Sequence, residues 1–126
     1  MLTGAASLSF FLTAALHGSG YASVAAAAES VPGTIGQLIP ALWLVFSSDL
    51  AVIGLIIAVL AFRPTPAARP ILAIAALCPL AAASLQLVTI GFVPPTALLI
   101  AVGLLTLLSA VAAKPKAPQD RGAGSA

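Results

Sequence analysis

The sequence predicts an all-α fold: an integral membrane four-helix bundle with four transmembrane helices and both termini in the cytoplasm. Three observations lead there: the composition, four apolar runs of bilayer length, and a one-sided placement of the basic residues. Of 126 residues, 61% are hydrophobic and only 6% are charged, with a mean hydropathy of +1.18. Soluble domains carry about 25% charged residues, so this composition excludes a soluble globule. The formal net charge of +2 comes from five basic and three acidic residues. Five basic residues divided between one loop and one tail make no stripe that could track phosphates, which excludes nucleic acid as a partner. The partner expected first is the lipid bilayer.

A helix that crosses a bilayer needs about 20 mostly apolar residues. The first run covers residues 5–28 and closes at Glu29-Ser30-Val31-Pro32-Gly33-Thr34, where a Pro-Gly pair marks a turn. The second covers 38–62, with Pro40 in a first turn that has no intrahelical use for its missing N–H. It stops at Arg63-Pro64-Thr65-Pro66. The third covers 70–90, opening on Pro70. Gly91-Phe92-Val93-Pro94-Pro95 then turns the chain into the fourth, 95–113. Residues 1–113 thus form a single transmembrane domain, and 114–126, rich in Lys, Pro, Gly and small polar residues, are expected to be a disordered cytoplasmic tail.

Charge sets the orientation. Arg63 and Arg69 flank the loop between the second and third runs, and Lys114, Lys116 and Arg121 lie in the tail. Four spans put both regions and the N-terminus on one side, and the positive-inside rule makes that side cytoplasmic, in a bacterial inner membrane. A cleaved signal peptide is the rival reading of the N-terminus, because residues 25–29 are mostly small, and cleavage would leave three spans. The basic segment that opens such peptides is absent, and His17-Gly18-Ser19-Gly20 interrupts the apolar stretch, so the uncleaved reading is preferred.

Small residues permit the close backbone approach on which helix association in lipid depends. Ala14, Gly18, Ala22 and Ala26 form a ridge at four-residue spacing on the first helix, and Ala81-Ala82-Ala83-Ser84 gives the third a slim surface. Pro79 removes the N–H that would bond the Ala75 carbonyl, so a kink is expected there.

Few polar side chains fall inside the runs, and they mark the candidate site. His17 and Asp49 each lie about eleven residues from the outer end of their helix, hence at nearly the same depth. An intramembrane ionisable residue points to function by default. A His17–Asp49 pair would serve as an acid–base or proton-relay couple. Ser47, Ser48, Ser84 and Gln86 reach a similar layer, with Trp43 and Tyr21 nearer the outer interface, and these six are the candidate substrate-binding residues. The bland alternative is that Asp49, His17 and Ser48 make hydrogen bonds that fix packing alone. One histidine and one cysteine, Cys78, supply neither a metal-ligand set nor a redox pair, and no cofactor motif is visible.

Two functional classes follow. The first is a non-catalytic accessory or scaffold subunit packing against other membrane proteins or against its own copies. The second is a membrane-embedded enzyme or proton-coupled carrier for a lipophilic small molecule, built on Asp49 and His17. The scarcity of polar groups favours the first.

Overall fold

Hydrocarbon offers no water to unpaired amides, so a chain this apolar satisfies its backbone within helices. The computed structural model describes residues 1–113, and the expected tail lies outside them. Five helical segments follow one another: α1 (Leu2–Ser19), α2 (Tyr21–Ala28), α3 (Thr34–Phe62), α4 (Ala68–Thr89) and α5 (Pro94–Ala112). The protein is all-α. Three helices, α3, α4 and α5, are long and apolar enough to cross a membrane. The first run falls short of that measure, because it is divided into α1 and α2 and carries His17 with several hydroxyls.

The division lies at Gly20, whose N–H donates to the His17 carbonyl at 3.1 Å, one residue tighter than an α-helical turn. That tightening changes the helix phase, and the expected small-residue ridge ends with it. Ala14 is buried and Gly18 lies beside Ser47, but Ala22 and Ala26 are exposed, and α2 buries Ala28 instead. On the third run the slim surface is narrower than expected: Ala83 is buried, whereas Ala81 and Ser84 are exposed. The buried face of α4 runs Leu72, Ala76, Pro79 and Ala83 at helical spacing, and the helix continues through Pro79.

Two hairpin-like pairs build the molecule, α1 with α3 and α4 with α5, and α1 joins them by packing along α5. α2 packs only on the start of α3 beyond its junction with α1. α3 and α4, although consecutive, barely approach each other. Across the molecule the order is therefore α3, α1, α5, α4, an arc whose two outer helices face each other across an open gap. The core follows the inner side of this arc. Phe10, Leu50, Ile57, Leu72 and Val102 are fully buried, flanked by Ala6 and Ala14.

Two glycines set the distance between the paired helices. A Cβ on Gly54 would lie 3.1 Å from Phe10 Cβ, and one on Gly103 would lie 2.5 Å from Leu80 Cγ. Each marks a tight approach, of α1 on α3 and of α4 on α5. Polar side chains inside the bundle are satisfied locally: Thr106 Oγ1 donates to the Val102 carbonyl at 2.7 Å, and Ser7 Oγ donates across the seam to the Gly54 carbonyl at 2.9 Å. Among the described residues no buried side-chain nitrogen or oxygen lacks a partner.

Overpacking the α4–α5 seam tests this arrangement. Gly103→Val should destabilise the folded protein by about 1–3 kcal/mol, as expected when bulk is forced into a packed interface. Leu80→Ala in the same chain should recover much of that loss. Thermal unfolding in detergent reads both, and an unaltered midpoint in the single variant contradicts the seam.

Candidate functional site

Toward the end of the molecule that carries the α4–α5 turn, an aromatic and hydroxyl cluster gathers where α1 meets α3. The His17 ring stacks on Trp43 with centroids 3.8 Å apart and planes inclined by 16°, and Phe46 meets the same ring edge-on at 5.0 Å. Trp43 and Phe46 lie three residues apart and so share a face of α3. The indole fastens the helices together: Trp43 Nε1–H donates to the His17 carbonyl at 2.7 Å. That carbonyl stands at the α1–α2 break, where it also receives the Gly20 N–H.

One proton decides the tautomer of His17. Ser47 Oγ lies 3.0 Å from the Trp43 carbonyl one turn earlier and 2.8 Å from His17 Nδ1. A hydroxyl has a single proton to give. Donated to the Trp43 carbonyl, as serines in helices commonly do, it leaves Ser47 Oγ to accept from His17 Nδ1–H. The hydrogen-bond network therefore assigns the proton to Nδ1 and leaves the Nε2 lone pair without a protein partner among the described residues.

On the opposite wall Gln86 is oriented in the same indirect way. Thr96, fully buried at the start of α5, donates its hydroxyl to Gln86 Oε1 at 2.9 Å. With Oε1 occupied, the Gln86 amide N–H groups are free. His17, Trp43 and Gln86 together line two adjoining spaces. One is a cavity of about 400 Å³ beside the α4–α5 turn, lined also by Leu98 and Leu99. The other is a groove of about 360 Å³ in the gap between α3 and α4. His17 and Gln86, each held by a partner behind it, line a largely apolar space.

Of the eight residues singled out in the sequence, the structure brings four together: His17, Trp43, Ser47 and Gln86. The other four stand apart. Tyr21 lies in α2 and is exposed; Ser48 is exposed on α3; exposed Ser84 returns its hydroxyl to the Leu80 carbonyl at 2.9 Å. Asp49 is exposed on α3, makes no side-chain hydrogen bond among the described residues, and lies within electrostatic range of the Cys78 thiol on α4. The expected His17–Asp49 pair does not form. Helix phase explains this: Asp49 follows Ser47 by two residues, about 200° around the helix, so the serine that meets His17 turns the carboxylate away. Two further residues escaped the sequence reading. Phe46 read as one apolar residue among many, and Thr96 read as the opening of a helix. The only available signal was that Thr96 is ten residues beyond Gln86 across a short turn, which brings the two to one level.

No protein-family model, curated protein or solved structure matches this chain.

The cluster makes a checkable prediction about the chain's single tryptophan. Ser47→Ala removes the acceptor of His17 Nδ1–H and should loosen the stack by about 1 kcal/mol, shifting Trp43 emission to longer wavelength with helix content unchanged. Ser48→Ala, one residue on and exposed, should leave the spectrum as it is.

Proposed function

We propose that the chain is a small polytopic subunit of a membrane complex, spanning four times with its N-terminus and the Ala113 end in the cytoplasm, and docking a helix of another membrane protein on the exposed face of α3 that carries Asp49. The observation that carries this reading is Asp49. Counting back from Phe62 at the Arg63 boundary, Asp49 stands about 20 Å into a hydrocarbon core about 30 Å thick. An exposed carboxylate at that depth is costly, about 2.5–3.5 kcal/mol on insertion scales, and a bonding partner removes the penalty.

The surface around Asp49 suits a helix. Leu42, Val45, Val52, Ile56 and Val59 are all exposed on α3 at alternating spacings of three and four residues, with Asp49 the polar member of the row. Such a row is the seam of a packed helix pair, and one polar residue within it fixes register and partner. The partner must supply the donor. Among the described residues the Lys and Arg side chains are Arg63 and Arg69, both at the membrane boundary, so the described part of a second copy brings neither to the level of Asp49. That favours a different chain with a basic side chain in its transmembrane helix.

Topology has its own support. Met1, Leu60, Pro64, Ala68 and Ala113 line a common cleft at one end of the bundle, so α1 runs antiparallel to α3 along the same depth. The α4–α5 hairpin returns the chain to the arginine side whatever α1 does. The basic residues support this orientation, and the packing of α1 along α3 and α5 supports the count of four. The second reading, an enzyme or carrier acting through an Asp49–His17 couple, has less support, because those side chains face different spaces.

Photo-crosslinking in the native membrane tests the docking. A crosslinker at Val52, exposed beside Asp49, should yield one defined larger adduct, and Asp49→Leu should weaken it about tenfold, matching the loss of one charge-assisted hydrogen bond. The same probe at Leu104 on α5 should yield only lipid adducts. An adduct from Val52 that is undiminished in Asp49→Leu, or that contains only a second copy of this chain, overturns the proposal.

A further inference from the structure

The space lined by His17, Trp43 and Gln86 shows a matched pair of polar groups in an apolar setting. Its volume of about 400 Å³ falls in the range of small-molecule sites, which are mostly apolar with a few placed polar groups. The polar groups are complementary in kind. His17 Nε2 offers a lone pair, because Nδ1–H is engaged with Ser47; the Gln86 amide offers N–H, because Oε1 is engaged with Thr96. Neither group is exhausted by the protein: His17 Nε2 can only accept while Nδ1–H is held by Ser47, and the Gln86 amide N–H groups remain to donate.

From this we propose that the cavity binds an apolar molecule bearing one hydroxyl group, of the lipophilic alcohol class. A hydroxyl is the smallest group that both donates and accepts. It would donate to His17 Nε2 and accept from the Gln86 amide, while its hydrocarbon body lies against Leu16, Leu98 and Leu99. A ketone or ether would satisfy Gln86 but leave His17 Nε2 unpaired, and a carboxylate would place a second uncompensated charge in hydrocarbon. Asp49 does not line this cavity, so the inference stands independently of the docking surface.

The chain's one tryptophan stacks on His17 and reports directly. The full-length protein in lipid nanodiscs is titrated with geraniol, and in parallel with geranyl methyl ether, which has the same body and acceptor but no proton to give. The expected result is a saturable change in Trp43 emission with geraniol and binding about tenfold weaker for the ether, the loss of one hydrogen bond. His17→Phe should bring the two ligands to equal affinity, and Gln86→Leu should weaken geraniol while preserving its preference over the ether. Equal binding of alcohol and ether by the unaltered protein, or a geraniol response that rises without saturation like simple partition into lipid, overturns the proposal without recourse to any variant. Retention of the alcohol preference in His17→Phe overturns the assigned role of His17.

Discussion

Everything else in the structure depends on the packing of α1 between α3 and α5. In lipid, apolar side chains gain little by leaving the solvent, so helices associate where backbones come close and side chains fit. α1 supplies both conditions. Its buried stripe of Ala6, Phe10 and Ala14 faces the core, and Phe10 sits against Gly54 of α3. The α4–α5 hairpin has its own tight seam at Gly103 and Leu80, yet α4 hardly reaches α3. Without α1 the outer arms would have little to hold them in register. With it, they stand as the two sides of a gap, and both spaces lined by His17, Trp43 and Gln86 border on that gap or on its outer end.

The same scarcity of polar partners governs the side chains. Buried hydroxyls are spent on backbone carbonyls, Thr106 and Ser109 on their own helix and Ser7 on Gly54 of α3. Where a hydroxyl instead supports another side chain, a site forms. Ser47 holds His17 and Thr96 holds Gln86, each from a different helix pair, so the cavity between them has a donor on one wall and an acceptor on the other. Trp43 adds the clamp at the α1–α2 break, closing that break with its indole N–H. Asp49 has no such support among the described residues. It stands in an exposed apolar row, which is why it is read as a contact for another protein and not as part of the cavity.

Depth was legible in the sequence and azimuth was not. Counting residues from turns placed His17, Ser47 and Gln86 in one layer, because the rise per residue of a helix is fixed, and put Trp43, which stacks on His17, nearer the outer interface. Which of Ser47, Ser48 and Asp49 would face His17 depended on how α3 is rotated against α1, and that is set by the approach of Phe10 to Gly54. Neither residue announces itself in an apolar run. The failure of the ridge at Ala22 and Ala26 has a related cause: a four-residue repeat assumes an unbroken helix, and Gly20 tightens one turn. Thr96 was hidden for a different reason, since a threonine beside two prolines at a helix start reads as local turn chemistry, and its contact with Gln86 exists only once α4 and α5 pack.

The central claim is that α1 crosses the membrane as the helix joining the two arms, and side-specific thiol labelling tests it most directly. In a Cys78→Ala background, single cysteines at Thr3, Ser30, Thr65 and Phe92 are exposed in intact cells to a membrane-impermeant maleimide, then again after the membrane is opened. The account predicts that Ser30→Cys and Phe92→Cys react from outside in intact cells, and that Thr3→Cys and Thr65→Cys react only after opening. Reaction of Thr3→Cys and Ser30→Cys from the same side would show that α1 does not cross, and would contradict the account.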